Sequence, residues 1–153
     1  MANFEASIDV NATLRDTYNQ WTQFETFPKF MDSVERIEQI TDTKMRWYAE
    51  IGGVDKEWDA VITEQIPDTR IAWTSIEGAK NAGVVTFHHI DDNTTRVMLQ
   101  VDYEPEGFVE SVGAAVGIVN FRLKDDLDRF KRFIESREDP TGAWRGTVEQ
   151  EAE

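Results

Sequence analysis

Few side chains in this sequence could transfer a proton, and their spacing does not form a known catalytic arrangement. General acid–base catalysis needs a proton donor and a proton acceptor positioned close to the reacting group. The candidates for these roles are Tyr103, His89 and Arg122. We expect His89 to face inward, although a bulge could exchange it with His88. A single inward histidine is more often a hydrogen-bonded core residue than a catalyst, so the catalytic roles stay open.

Metal and cofactor chemistry has no support in the sequence. The chain has no cysteine, which excludes disulfides, thiolate catalysis and cysteine-based metal sites. His88 and His89 would point to opposite faces of one strand, so they cannot easily hold the same ion. The Gly52-Gly53 pair and Gly78 are typical turn glycines, and no phosphate-binding Gly-x-x-x-x-Gly-Lys pattern occurs. We therefore predict no metal and no cofactor.

Large aromatic side chains are better candidates for function, as the lining of a binding cavity. If the strands alternate as their sequences indicate, Trp47, Trp58 and Trp73 face the same side of a sheet. Ligand cavities are mostly apolar with few polar groups, so such rings suit a flat or greasy molecule. The alternative is packed core, because burying a ring stabilises a fold by ~1.5–3 kcal/mol whether or not a cavity exists. The predicted ligand-binding residues are Trp47, Trp58, Trp73, Phe87, His89, Leu99, Tyr103, Val112, Val116 and Val119.

The elements that would position these residues follow from hydrophobic periodicity. Residues 4–10 alternate between apolar and polar types, as a half-buried strand does. Asn11 is placed to cap a helix, and Thr26-Phe27-Pro28 interrupts the helical pattern, so two short helices are predicted after the first strand. Between residues 34 and 104, turn signals recur roughly every ten residues, which is typical of a meandering antiparallel sheet.

A long C-terminal helix is the clearest single prediction. Apolar residues follow one helical stripe from Phe108 to Arg137, a segment without proline. Gly113 and Gly117 each cost ~1 kcal/mol relative to alanine inside a helix. Close approach of a ligand or a neighbouring element, or a kink, could offset that cost. The simplest arrangement is an α+β fold in which a curved antiparallel sheet of about seven strands wraps around the long helix.

The chain is predicted to form one ligand-binding domain, residues 1–138, with a C-terminal tail at 139–153. A length of 153 residues with 40% hydrophobic side chains suffices for one core. Asp139-Pro140-Thr141-Gly142 ends the helix, and the stretch that follows is too short and too acidic for a second domain. We expect Trp144 and Arg145 to dock on the body, or else the tail to fray, so that it is partly disordered.

The net charge of −14 argues against two classes of partner. Nucleic-acid binding requires clustered Lys and Arg, which the chain lacks, and anionic membrane surfaces should repel it. No signal-peptide pattern is visible, and no apolar stretch is long enough to cross a bilayer. We therefore predict a cytoplasmic protein without integral membrane association, either a monomer or a homodimer.

Several short motifs resemble those of one protein family. Trp21-Thr22-Gln23-Phe24-Glu25 and Phe27-Pro28-Lys29-Phe30-Met31 are similar to the first helices of the polyketide cyclase/dehydrase-type branch of the START-like, or SRPBCC, superfamily. Further similar motifs are, in order, Trp58-Asp59-Ala60, Pro67-Asp68 with Ile71-Ala72-Trp73, Gly83-Val84-Val85-Thr86-Phe87, Leu127-Asp128-Arg129-Phe130-Lys131 and Gly142-Ala143-Trp144-Arg145-Gly146. Each motif alone is weak, but their order and spacing extend over nearly the whole chain.

This resemblance implies a helix-grip fold with a deep cavity between the sheet and the last helix. It does not imply a reaction, because members bind lipids, sterols, quinones or polyketides and only some catalyse. The first hypothesis is therefore a binder of a small hydrophobic molecule that is a lipid, a quinone or polyketide-like. One alternative is a polyketide aromatase/cyclase or dehydratase that uses acid–base residues in the same cavity. The other is a protein-interaction module without a ligand.

Overall fold

The computed structural model describes residues 2–51, 53–78, 80–103, 113–137 and 139–148. Within these ranges, residues 2, 51, 103 and 113–122 are described by their backbone alone. The strands are β1 (Ala2–Val10), β2 (Val34–Gln39), β3 (Lys44–Ile51), β4 (Val54–Ile66), β5 (Arg70–Gly78), β6 (Asn81–Asp91) and β7 (Thr94–Tyr103). The helices are α1 (Leu14–Trp21), a 3₁₀ helix (Phe24–Lys29) and α2 (Gly113–Glu135).

All seven strands form one antiparallel sheet in the order β1-β7-β6-β5-β4-β3-β2. Consecutive strands from β2 to β7 pair as hairpins, and β1 pairs with β7 in a register that places Phe4 opposite Val101. The predicted helix-grip arrangement is confirmed: a curled sheet of seven strands, two short helices after the first strand, and a long C-terminal helix. The predicted segment 108–112 of that helix lies outside the described residues.

Irregularities in the ladder bend the sheet and redirect side chains. The β4–β5 ladder has two register shifts: between Asp59 and Ala60 the extra residue lies on β5, and between Ile62 and Glu64 it lies on β4. A bulge adds one residue to one strand, increases the local twist and shifts the inside–outside alternation by one position. Trp58, Ala60 and Ile62 face the core, and after the second shift Gln65 is the next fully buried side chain of β4.

The cap of α1 differs from the prediction. The helix begins at Leu14, and the side chain of Thr13 accepts a hydrogen bond from the backbone N–H of Asp16 over 3.1 Å. Asn11 was expected in this role. Its backbone N–H donates instead to the Glu135 carboxylate over 2.7 Å, which ties the end of β1 to the end of α2. A threonine oxygen satisfies an unpaired helix N–H as an asparagine would, so sequence alone does not choose between them.

The core fills the concave side of the sheet, beneath α1, the 3₁₀ helix and α2. Leu127, Phe130 and Ile134 follow the predicted apolar stripe of α2 and are all buried, and the helix packs along β1. Within the described residues, no helix has the length and apolar character needed to cross a membrane.

The segment after α2 packs on the body of the domain. Val148 pairs with Gln65 of β4 through two backbone hydrogen bonds, of 2.7 and 2.9 Å. Thr141 exchanges hydrogen bonds with the side chain of Gln20 on α1. Residues 141–148 therefore lie across α1 and add a short bridge to β4, as the docking alternative for Trp144 and Arg145 anticipated. The limits of the predicted domain and tail stay a prediction.

Candidate functional site

Three tryptophans from adjacent strands stack on the concave face of the sheet. Trp47 on β3 lies opposite Trp58 on β4 in the strand register. The ring centroids of Trp47 and Trp58 are 5.7 Å apart with an interplanar angle of 19°, and those of Trp47 and Trp73 are 5.9 Å apart at 20°. Each of the three side chains is at most 6% exposed. We call Trp47, Trp58 and Trp73 the tryptophan stack.

Gly83 makes room for the tryptophan stack. It lies opposite Trp73 in the β5–β6 register. A Cβ atom added to Gly83 would be 2.4 Å from Cζ2 and 2.6 Å from Cε2 of Trp73, so the indole covers the glycine backbone directly. The pairing of a glycine with an aromatic ring across two strands lets the ring lie flat on the sheet. From the sequence, Gly83 is expected at the end of a turn and within a family motif, whereas the structure places it inside β6 opposite the indole.

Two polar atoms of the tryptophan stack have no hydrogen-bond partner. The indole Nε1 atoms of Trp47 and Trp58 are buried, and neither forms a hydrogen bond with a described residue. An indole N–H is a donor only. Buried donors are rarely left unpaired, because the lost hydrogen bond to water is not replaced. The stack therefore contains two unpaired donors, and Trp21 of α1 adds a third buried indole N–H without a partner among the described residues.

One side of the tryptophan stack is closed by aromatic packing. Phe27 of the 3₁₀ helix meets Trp47 edge-on with ring centroids 5.9 Å apart. Trp21 of α1 contacts Phe27, Phe30 and Phe130, the last from α2, at centroid distances of 5.2, 5.6 and 5.1 Å. The packed-core alternative thus describes this side of the interior correctly.

The other predicted ligand-binding residues are placed as follows. Phe87 and Leu99 are buried on the concave face, at 5% and 1% exposure, and Phe87 meets the Tyr18 ring edge-on at 5.3 Å. Val112 lies outside the described residues. The side chains of Tyr103, Val116, Val119 and Arg122 also lie outside them, although their backbones belong to β7 and α2. The ligand-binding role of the whole set stays a prediction.

His89 does not face the interior. Its side chain is 54% exposed and its Nε2 atom lies 3.8 Å from a carboxylate oxygen of Asp92. His88 is also exposed, and its ring bonds the Thr86 hydroxyl at 3.0 Å. The expected inward orientation of His89 is therefore wrong. The physical reason is its position at the end of β6, next to the irregularity between His89 and Asp91 and beside the hairpin turn.

A buried polar pair lies at the junction of α1 and β4, and sequence reasoning missed it. Tyr18 is fully buried and Gln65 is 1% exposed. The hydroxyl of Tyr18 and both amide atoms of Gln65 lack a hydrogen-bond partner of normal geometry among the described residues. Burial raises the pKa of the Tyr18 phenol above its usual range, and the nearby Gln65 amide and Arg145 guanidinium oppose this only in part.

A second buried polar group lies on α2. Asp126 is 6% exposed and accepts hydrogen bonds from Arg129 over 3.0 Å and from the backbone N–H of Asp32 over 3.3 Å. Arg129 also bonds Asp125 and, over 2.9 Å, Asp32. Burial raises the pKa of Asp126 to about 6, against the lowering effect of the two hydrogen-bond donors. One guanidinium is shared by three carboxylates, which leaves Asp126 incompletely compensated.

Two further features lie at the surface. Among the described residues, Glu35, Glu50 and Asp55 form an exposed group whose carboxylate oxygens lie within 4.8 Å of one another. Exposed acidic side chains commonly approach this closely without an ion. A groove of about 400 Å³ is lined by residues that include Ala72, Trp73, Gly83 and Asp102, so it adjoins one member of the tryptophan stack.

Comparison with known proteins agrees with this architecture. A protein of Streptomyces lincolnensis, the "Uncharacterized 17.2 kDa protein in melC2-rnhH intergenic region", is 56% identical over 149 residues, 97% of this chain and 99% of the relative. The crystal structure of TTHA0849 from Thermus thermophilus matches with a TM-score of 0.74 at 20% identity, over 90% of this chain and 100% of that one.

A named enzyme has the same fold. The Zhui aromatase/cyclase from Streptomyces sp. R1128 matches with a TM-score of 0.73 at 15% identity, over 94% of this chain and 99% of that one. At such identities the two structural matches show the fold alone. The sequence profile described as "Polyketide cyclase / dehydrase and lipid transport" matches residues 10–132. Because that match covers most of the chain, the protein belongs to the polyketide cyclase/dehydrase and lipid transport family.

Proposed function

We propose that this protein binds a small, largely hydrophobic molecule between the concave face of the sheet and α2. The observation that carries the proposal is the tryptophan stack with its two unpaired indole N–H groups. Aromatic faces bind flat apolar molecules by dispersion and stacking. A few convergent polar groups in an apolar lining are the usual composition of a small-molecule site.

The unpaired donors narrow the class of ligand. Trp47 and Trp58 can each donate one hydrogen bond and accept none. A ligand that satisfies them must carry acceptor oxygens, as a quinone, a polyketide or a lipid ester does. A pure hydrocarbon would leave both donors unpaired at a free-energy cost of about 1–3 kcal/mol each. We therefore favour a flat carbonyl-bearing molecule over a simple alkyl chain.

The catalytic alternative has weaker support. The family description includes cyclases and dehydrases, but of the three catalytic candidates His89 lies at the surface. The side chains of Tyr103 and Arg122 lie outside the described residues. Among the described side chains around the tryptophan stack, no proton donor and acceptor face each other. Binding is accordingly the function that the geometry supports best.

Native mass spectrometry of the purified protein, followed by denaturing extraction, tests binding directly. We expect a co-purifying lipid, quinone or aromatic polyketide. If the protein is empty, calorimetric titration with 1,4-naphthoquinone is the second test. A protein that carries no molecule and binds neither this probe nor a fatty acid would contradict the proposal.

A matched pair of variants assigns binding to the tryptophan stack. Trp58→Phe keeps a ring but removes the buried N–H donor, so the affinity for 1,4-naphthoquinone should fall about three- to tenfold. Trp144→Phe makes the same change in the C-terminal segment, where the ring covers Gly146, and should leave the affinity unchanged. If the two substitutions lowered the affinity equally, the tryptophan stack would not be part of the binding site.

A further inference from the structure

Four buried polar atoms close to the C-terminal segment have no partner among the described residues. Three are the hydroxyl oxygen of Tyr18 and the Nε2 and Oε1 atoms of Gln65, and the fourth is Oδ1 of Asp68, whose other carboxylate oxygen pairs with Arg145. The side chains of Tyr18 and Gln65 are almost completely shielded from solvent, at 0% and 1% exposure. The Gln65 amide is close enough to the Tyr18 hydroxyl to lower the pKa of the phenol as a hydrogen-bonding neighbour, but the contact lacks normal hydrogen-bond geometry. These atoms therefore form one polar cluster in the interior whose hydrogen bonds are incomplete.

The fold directs both side chains to this place. Tyr18 lies on the buried face of α1 and packs edge-on against Phe87 of β6 at 5.3 Å. The register shift between Ile62 and Glu64 turns Gln65 to the inside. The backbone of Gln65 is held by Val148 on its other edge. Gln65 is therefore turned inward by a bulge and held by the bridge to Val148, which distinguishes it from an amide side chain on the surface.

Arg145 covers this cluster from outside. Its guanidinium carbon lies 5.3 Å from the centroid of the Tyr18 ring. The same side chain donates to Asn19 over 2.6 Å and pairs with Asp68 over 2.8 Å. The guanidinium is therefore engaged by α1 and by the β4–β5 turn, and it leaves the Tyr18 hydroxyl and the Gln65 amide to another partner.

We propose that Tyr18 and Gln65 bind one hydroxyl oxygen in the interior of the protein. Such an oxygen can accept a hydrogen bond from the Tyr18 hydroxyl or from Gln65 Nε2, and it can donate one to Gln65 Oε1. Buried polar groups in folded proteins nearly always have partners, and an internal water typically makes about three hydrogen bonds. A hydroxyl group matches the donors and acceptor offered here, whereas a carbonyl could not donate to Gln65 Oε1.

Two sources can supply this oxygen: an internal water molecule, or the hydroxyl group of a bound ligand. The second source rests on the proposed binding function, and the first does not. A crystal structure of the ligand-free protein, at a resolution that places ordered waters, tests the first. We expect density for one oxygen within hydrogen-bonding distance of Tyr18 and Gln65.

A matched pair of probes tests the second source. If the ligand supplies the hydroxyl, 2-naphthol should bind the wild-type protein about tenfold more tightly than naphthalene, as expected for one buried hydrogen bond. That ratio should fall towards one in Gln65→Met and in Tyr18→Phe. It should persist in Gln39→Met, which makes the same change on an exposed side chain.

The two experiments together distinguish three cases: a site filled by water, a site filled by a ligand hydroxyl, and no site. Ordered density without a preference for 2-naphthol supports the site with water as its occupant. A preference that Gln65→Met abolishes supports the ligand hydroxyl. No density together with equal affinities, or a direct hydrogen bond between Tyr18 and Gln65, overturns the proposal. If neither probe binds, the result counts against the proposed binding function. The hydroxyl site is then tested by the electron density of the wild-type crystal alone.

Discussion

Two buried regions beneath the first two helices are stabilised in opposite ways. In the aromatic region, Trp47, Trp58 and Trp73 stack on one another and on Phe27, and each ring offers at most one polar atom. In the polar region, Gln20 and its neighbours on α1 bond the C-terminal segment through side-chain hydrogen bonds. Stability in the first region comes from contact area, and in the second from completed hydrogen bonds.

This difference has a consequence for function. A region stabilised by contact area tolerates an apolar guest, because the guest replaces one set of dispersion contacts with another. A region stabilised by hydrogen bonds accepts only a guest with matching donors and acceptors. Under the two proposals, the aromatic region supplies affinity for a ligand. The unpaired atoms of Tyr18 and Gln65, which lie beside the hydrogen-bonded region, supply discrimination.

The largest expected effect is the loss of the central ring of the aromatic region. Trp47→Ala removes contacts with Phe27, Trp58 and Trp73 at once. We expect a loss of about 3–5 kcal/mol in the free energy of unfolding, as for other buried aromatic truncations. Chemical denaturation at pH 7 measures it. A loss below about 1 kcal/mol would mean that the stack surrounds a void and is not a packed unit.

A smaller effect is expected from a single methyl group at Gly83. Gly83→Ala places Cβ at 2.4 Å from Trp73 Cζ2, so the indole must move out of the stack. Overpacking of this kind costs about 1–3 kcal/mol. The double variant Gly83→Ala/Trp73→Leu should show much less than the sum of the two single losses. If the losses in stability were additive, direct contact between residues 73 and 83 would not be the cause of the loss in Gly83→Ala.

Replacing Asp126 tests what an incompletely compensated charge costs in the interior. Its pKa in the folded protein is about 6, above the usual value of 3.8, so the folded state retains a proton that the unfolded chain releases. Stability of the wild-type protein should then decrease as the pH rises from about 4 to 6 and stay at the lower level above that. Asp126→Asn should remove this decrease and raise stability at pH 8 by about 1–2 kcal/mol.

Denaturation at pH 4, 6 and 8 provides the comparison for Asp126. Near pH 4 the variant and the wild type should differ little, because the wild-type carboxyl is then protonated in the fold. Destabilisation by Asp126→Asn at pH 8 would mean that the pairing with Arg129 outweighs the cost of burial.

The smallest effect concerns the cover of the polar region. Arg145→Met keeps the apolar stem but removes the bonds to Asn19 and Asp68. Because the side chain is partly exposed, we expect a loss of about 1 kcal/mol. In this variant, the amide hydrogen-exchange rates of Val148 and of α1 should rise more than those of other residues. The control is Arg36→Met, at an exposed arginine that pairs with Glu38. It should change neither the free energy of unfolding nor these exchange rates.

Much of the fold could be predicted because its signals are local. Alternation of apolar residues identified the strands, and the stripe through Leu127, Phe130 and Ile134 identified α2. Strand alternation also assigned Trp47, Trp58 and Trp73 correctly to one face. Local patterns failed where one residue changes the outcome: Thr13 took the capping role expected of Asn11, and His89 lies at the exposed end of its strand.

The sequence by itself determined which side chains alternate, which stripe a helix buries, and which family the motifs resemble, because these depend on neighbours a few positions apart. Tertiary structure alone decided the pairing of β1 with β7, the docking of residues 141–148 on α1, and the contact of Tyr18 with Gln65. Each of these joins segments distant in the chain. A bulge that shifts alternation by one residue, as before Gln65, is fixed by the pairing of whole strands and not by the residues at the bulge.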